Sequence, residues 1–188
     1  MLDRIINEVK GAIVAAVKGA DDVTTALRTA VKNQATGALK DASTIGVSAE
    51  DAIAGTAAGG VKAAATLVVS TTDAVKTTVH AAIEGASATG VDIYTAVRNA
   101  ARGAVSGAAD VGGDIAKTSV AAVEGAVNAA GKVGADASKA VGSAVVGVIQ
   151  AADNIGSEAG GTARKALLSA GSLPRDLVEK AIAGSAKK

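Results

Sequence analysis

A repeat that never loses register limits this chain more than any other feature. Written in blocks of eleven from Gly103, the sequence reads GAVSGAADVGG, DIAKTSVAAVE, GAVNAAGKVGA, DASKAVGSAVV, GVIQAADNIGS and EAGGTARKALL. Two block types alternate, which makes the unit 22 residues, and the frame runs from Arg4 to Leu168 without insertion or deletion. Eleven residues over three turns is about 3.67 residues per turn, close to the natural α-helix and slightly on the right-handed supercoil side. A helix of that period keeps its apolar side aligned, so the pattern predicts an all-α chain of amphipathic helix.

The apolar stripe can be named residue by residue. In one block type the third and ninth places hold Val105 and Val111, Val127 and Val133, Ile149 and Ile155; in the other, the sixth and tenth hold Val75 and Val79, Val141 and Val145. Lys, Thr, Asp, Asn and Ser fill the fourth, seventh and eighth places on the far side. The named Val and Ile residues form the candidate contact face, turned either to other helices of a homo-oligomer or to a lipid or other apolar surface.

Composition decides how closely that face can be covered. The 188 residues include 47 Ala and 23 Gly, and 49% are hydrophobic, yet Tyr94 is the only aromatic residue. A core anchored by rings that each bury about 150–250 Å² is excluded. Disorder is disfavoured too, because disordered chains pair low hydrophobicity with high net charge and the net charge here is +1. Gly in a helix costs roughly 1 kcal/mol relative to Ala, so these helices need partners. Glycines four apart, Gly55/Gly59, Gly103/Gly107 and Gly156/Gly160, would let helices approach closely.

Two architectures satisfy the pattern. One is a long amphipathic helix packed in an oligomer, about 250 Å over the repeat region at 1.5 Å per residue. The other is an antiparallel stack of short helices, broken at Gly46-Val47-Ser48, Gly90-Val91-Asp92, Gly112-Gly113-Asp114 and Gly134-Ala135-Asp136, where Gly ends one helix and Asp or Ser starts the next. Ser48-Ala-Glu-Asp51 and Ser70-Thr-Thr-Asp73 resemble capping boxes. Loops tolerate insertions, whereas a continuous helix loses its face with one extra residue, so the gapless register favours the continuous form. Residues 1–168 form the repeat region and 169–188 a Pro-containing tail or cap, with Leu173-Pro174-Arg175-Asp176 as the entry to a short helix.

Counts exclude several functions. With 19 Lys+Arg against 18 Asp+Glu there is no electrostatic footprint for nucleic acid. Without Cys there is neither a disulfide framework nor a thiolate metal site. The longest uncharged run, Ala140 to Ala152, has thirteen residues, short of the roughly 20 that a transmembrane helix needs. The N-terminal apolar run, Gly11 to Val17, follows acids where a signal peptide would be basic, which points to a cytoplasmic protein, peripheral where it meets lipid. His80, the single histidine, falls on the polar side and is expected to be solvated, without a nucleophile to serve. The stretch Gly125 to Val133 has five residues between its glycines, and Val where a phosphate loop needs Ser or Thr. No catalytic, cofactor-binding or metal-binding residue is assigned.

Charge placement and resemblance bear on the role. The seventh place of the block carries Lys10, Lys32, Lys76, Arg98, Arg164 and Arg175; the first carries Asp92, Asp114, Asp136 and Glu158. A basic border opposite an acidic one suits helices lying side by side, whereas helices that bind anionic membranes are rich in Lys and Arg. The local alternative pairs Asp114 with Lys117 and Asp136 with Lys139 inside one helix. The blocks AAIEGASATGV and GAVNAAGKVGADASKAV resemble the lipid-coating repeats of synucleins and perilipins, and more distantly group 3 late-embryogenesis proteins and phasins. The Lys-Thr-Lys-Glu-Gly-Val core of synucleins is absent. The resemblance implies reversible helix formation on a lipid or polymer-granule surface. The expectation is a non-enzymatic structural protein, a self-associating helical scaffold, stalk or tube. The alternative is an amphipathic coat on a membrane, lipid droplet or polymer granule. A stress protectant is a third reading, although such chains are usually more charged and less apolar.

Overall fold

A computed structural model describes residues 2–20, 22–67 and 69–185. Among these residues there are nine helices and no strand: α1 (Leu2–Val17), α2 (Val23–Ile45), α3 (Ala49–Thr66), α4 (Thr71–Ser87), α5 (Ile93–Asp110), α6 (Ile115–Lys132), α7 (Ala137–Ile155), α8 (Ser157–Ser169) and α9 (Arg175–Ser185). None of the described helices is long and apolar enough to cross a membrane.

The helices are short because each unit carries its own stop and start. Gly46, Gly90, Gly112 and Gly134 have φ between +70° and +78°, a conformation that penalises a Cβ and ends the right-handed path. The amide that follows the glycine reaches back into the last turn: Val47 N–H donates to the Ala42 carbonyl at 2.9 Å, Gly113 to Ala108 at 2.7 Å and Ala135 to Ala130 at 2.8 Å, which satisfies carbonyls the helix leaves open. Two residues beyond the glycine the next helix is capped. The side chains of Ser48, Asp92, Asp114 and Asp136 each accept the backbone N–H three residues on. Ser70 does the same, and its hydroxyl also donates to Asp73 Oδ2 at 2.6 Å.

The continuous helix is thereby corrected to the stack of short helices. Caps at Ser48, Ser70, Asp92, Asp114 and Asp136 recur every 22 residues, and α3 to α7 are 17 to 19 residues long. A stack whose turns are all alike conserves register as strictly as a rod does, so a gapless repeat does not discriminate between them. The ends depart from the rule. Asp22, the cap of α2, stands 26 residues before Ser48, and α2 is 23 residues long. Thr24, Thr25 and Ala26 offer no glycine or acid at the regular place, whereas Gly19, with φ +88°, and Asp22 supply both one turn earlier. At the far end Glu158 occupies the regular cap place but α8 has no side-chain cap and starts directly after Gly156.

Helices alternate between two layers. The odd-numbered helices form one and the even-numbered the other, each helix packing on the one two places before it and on its neighbours across the layers. Helices within a layer are parallel, since Gly103 and Gly107 of α5 meet Ala54 and Ala58 of α3 in the same order. A Cβ built on Gly103 would lie 2.1 Å from the Ala54 carbonyl oxygen, and one on Gly147 equally close to that of Arg98, so these backbones touch only because the residue is glycine. With such approaches the stretch Ala52 to Val61 of α3 is buried throughout. Alanine methyls fill most of the core, and Ile13, Leu27, Ile53, Ile83, Ile149 and Leu167 are its largest fully buried side chains; each of these large ones contributes roughly 1.5–3 kcal/mol of burial. The C-terminal segment returns to the stack: Pro174 precedes α9, which lies on α7, and Leu173 and Val178 join the core.

Candidate interaction surface

The structure places the predicted contact face inside the chain's own core. Val75, Val79, Val105, Val141, Val145 and Ile149 are each no more than 2% exposed. Val127 is half-buried against the same core. Val133 is half-buried at the C-cap of α6, and Val111 (37% exposed) and Ile155 (45%) sit at the C-terminal ends of α5 and α7. In this structure the stripe is therefore largely enclosed between the chain's own helices. Helices that fold back on one another cover each other's apolar sides.

Polar side chains cross-link the outer faces. On the even layer, Lys76, His80 and Glu84 lie four residues apart along α4 and form a ridge between α2 and α6. Arg28 of α2 grips Glu84 with two bonds, Nη2 to Oε1 at 2.6 Å and Nε to Oε2 at 3.2 Å. Its Nη2 is also 3.2 Å from His80 Nε2, which lies 3.4 Å from Glu84 Oε1 as well. On the other side of the ridge Lys76 pairs with Glu124 of α6 at 2.5 Å, and Glu124 accepts the Ser172 hydroxyl at 2.6 Å. The furrow beside these groups has a volume of about 360 Å³, with Thr24, Thr77 and Asn128 among its lining residues. The odd layer is braced in the same way, by Lys62–Asp110 at 2.7 Å and Arg102–Asp51 at 3.4 Å. All four pairs join helices two apart in the chain. Partly exposed as they are, each contributes about 0.2–1 kcal/mol.

Protonation follows from these contacts. Burial, then the charge of Arg28, hold the His80 imidazole below its ordinary range, against the opposing pull of Glu84. Burial pushes the Glu84 carboxyl up, but hydrogen bonding and charge from Arg28, with His80 and Lys32 adding, hold it below the usual carboxylate range. Lys76 and then Ser172 do the same for Glu124. His80 thus sits between Arg28 of α2 and Glu84 of α4, with its charged form disfavoured. Among the described residues no three His, Cys, Asp or Glu side chains gather where they could hold a metal ion.

No family model matches this chain, and no curated protein does. Sequence reasoning expected His80 in solvent, whereas it is 9% exposed; the partner that buries it, Arg28, is 52 residues away. The first-place acids are not a border: Asp92, Asp114 and Asp136 are helix caps. The seventh-place bases do find acids, but other ones, Lys76 with Glu124 and Arg164 with Asp153. The short-range alternative also holds in part, since Lys117 lies 3.8 Å from Asp114. Tyr94 braces a junction: its hydroxyl accepts the Asp136 N–H at 3.1 Å. Of the glycine pairs, Gly103/Gly107 makes a close approach to α3 and Gly59 of Gly55/Gly59 one to the Ile6 carbonyl of α1, whereas Gly156 forms a junction. Gly125 lies inside α6, its Cα against the Lys76 backbone.

Proposed function

We propose that this chain is a non-enzymatic structural protein, a helical scaffold that associates with copies of itself through the outer faces of its two layers. The observation that carries this reading is the set of lengthwise braces, Arg28–Glu84, Lys76–Glu124, Lys62–Asp110 and Arg102–Asp51. With the apolar stripe enclosed, a partner meets charges of both signs, and a net charge of +1 sets up little repulsion between copies. Light scattering after size exclusion, over a range of concentration and salt, tests it. The expected result is a particle heavier than one chain that dissociates as salt screens the outer charges. A single-chain mass at every concentration overturns it.

A coat on a lipid or polymer-granule surface, the role implied by the resemblance to perilipins, synucleins and phasins, is favoured by one observation. The turns pivot on single glycines and the interfaces are largely alanine and glycine, so unstacking would present one continuous apolar stripe. Flotation of the protein with anionic vesicles, together with a single-chain mass in buffer, would move the assignment to the coat.

A further inference from the structure

Helices of the odd layer close on one another through glycine, as Gly147 of α7 does on the Arg98 backbone of α5. The last pair in the layer does not. Gly142 of α7 and Gly184 of α9 both line the space between these two helices, and a Cβ on either would meet nothing within 4 Å. Between them runs a trough of about 480 Å³ floored by Val146, Leu177 and Ala181. Lys139 of α7 and Lys180 of α9, both exposed, line it, and no carboxylate is among the lining residues. Neither lysine has an acid within ion-pair distance among the described residues. The Lys139 ammonium is instead 5.7 Å from the centre of the Tyr94 ring, at the reach of a cation–π contact.

A mostly apolar trough whose lining includes two lysines and no carboxylate suits one kind of ligand. Its body is hydrocarbon and its head is a single anion. The volume falls in the range of small-molecule sites, roughly 300–1,000 Å³. We propose that the trough between α7 and α9 binds one single-chain acyl carboxylate, its tail along Gly142, Val146, Leu177 and Ala181 and its head between Lys139 and Lys180. This assignment does not depend on the scaffold reading, because the trough lies apart from the braced furrow.

The test is isothermal titration of the full chain with decanoate below its micellar concentration, with decyltrimethylammonium as the oppositely charged probe. Decanoate is expected to bind at one site and the cation not to bind. Replacing both lysines, Lys139→Gln with Lys180→Gln, should weaken decanoate about tenfold, a change titration resolves easily. Gly142→Leu should fill the trough and abolish binding while the helical signal and melting temperature are kept. Ala181→Leu on the facing helix is the second blocking variant, should the first fail to fold. Equal binding of the two probes, binding at many weak sites, or full binding by a folded blocking variant would each overturn the proposal. So would a dimer that Gly142→Leu dissolves in the absence of any decanoate isotherm, which would assign the trough to a second copy.

Discussion

At single positions the distance between helices is fixed by residues that lack a side chain. Gly103 is the sharpest case, because any Cβ there must displace the Ala54 backbone of the neighbouring helix. Gly103→Ala gains helix propensity of about 1 kcal/mol but overpacks a rigid contact, which typically costs about 1–3 kcal/mol or somewhat more; with backbone on both sides, overpacking dominates. Gly37, inside α2, has nothing within 4 Å of a built Cβ, so Gly37→Ala should stabilise by about 0.4–1 kcal/mol. Urea unfolding of the two variants should therefore move the midpoint in opposite directions, and a stabilised Gly103→Ala would show that the approach of α3 and α5 is loose. The Gly103/Gly107 pair was legible in the sequence by its spacing. The burial of His80 was not, because Arg28 reaches it from another helix, 52 residues away, and the i+4 acid Glu84 does not by itself distinguish a buried histidine from a solvated one.

Along each element the decisive features are where the helix stops and which side it turns inward. One Ala inserted after Ala135 keeps the Gly134 turn and the bond from Ala135 to the Ala130 carbonyl, and only lengthens the path to the Asp136 cap. Loop closure depends weakly on length, so this insertion should cost about 1 kcal/mol or less. One Ala inserted after Ala144, inside α7, rotates the rest of the helix by about 100°. Val145, Val148 and Ile149, all buried, would then leave the core, at a cost on the scale of a large core truncation, about 2–5 kcal/mol. Thermal melts of the two insertions check this ranking, and equal damage by both would restore the continuous helix. All four Gly-x-Asp and Gly-x-Ser junctions were visible in the sequence. That they break the helix was not, since the energy that offsets each break comes from contacts with helices two units away. The acids at the first place misled for a related reason: a carboxylate reads as charge in a sequence, and as a cap only once the chain turns there.

For the whole molecule the question is what constitutes one unit, and the glycine contacts answer it. Gly103 in the odd layer, Gly125 in the even and Gly147 in the odd again each meet the residue 49 places earlier, Ala54, Lys76 and Arg98. The two layers thus use the same contact, and the unit is one helix with its turn. All-α character and the repeat were legible from period alone, but layering was not, because it depends on which helix covers which. In a stack of equivalent units stability is approximately a sum over units and their interfaces. Deleting residues 115–136 removes one unit and leaves Asp114 to cap α7, whose Gly147 then falls where Gly125 stood, against Lys76. This chain should fold with unchanged helicity per residue, and its denaturant m-value should fall roughly with the surface removed. Deleting residues 115–125 removes half as much sequence and also preserves the eleven-residue frame, yet it leaves only seven residues of α6, too few to span the layer. It should be the more damaging deletion, with broadened, early unfolding. A rod would tolerate both equally, so matched stability of the two deletions would refute the one-helix unit.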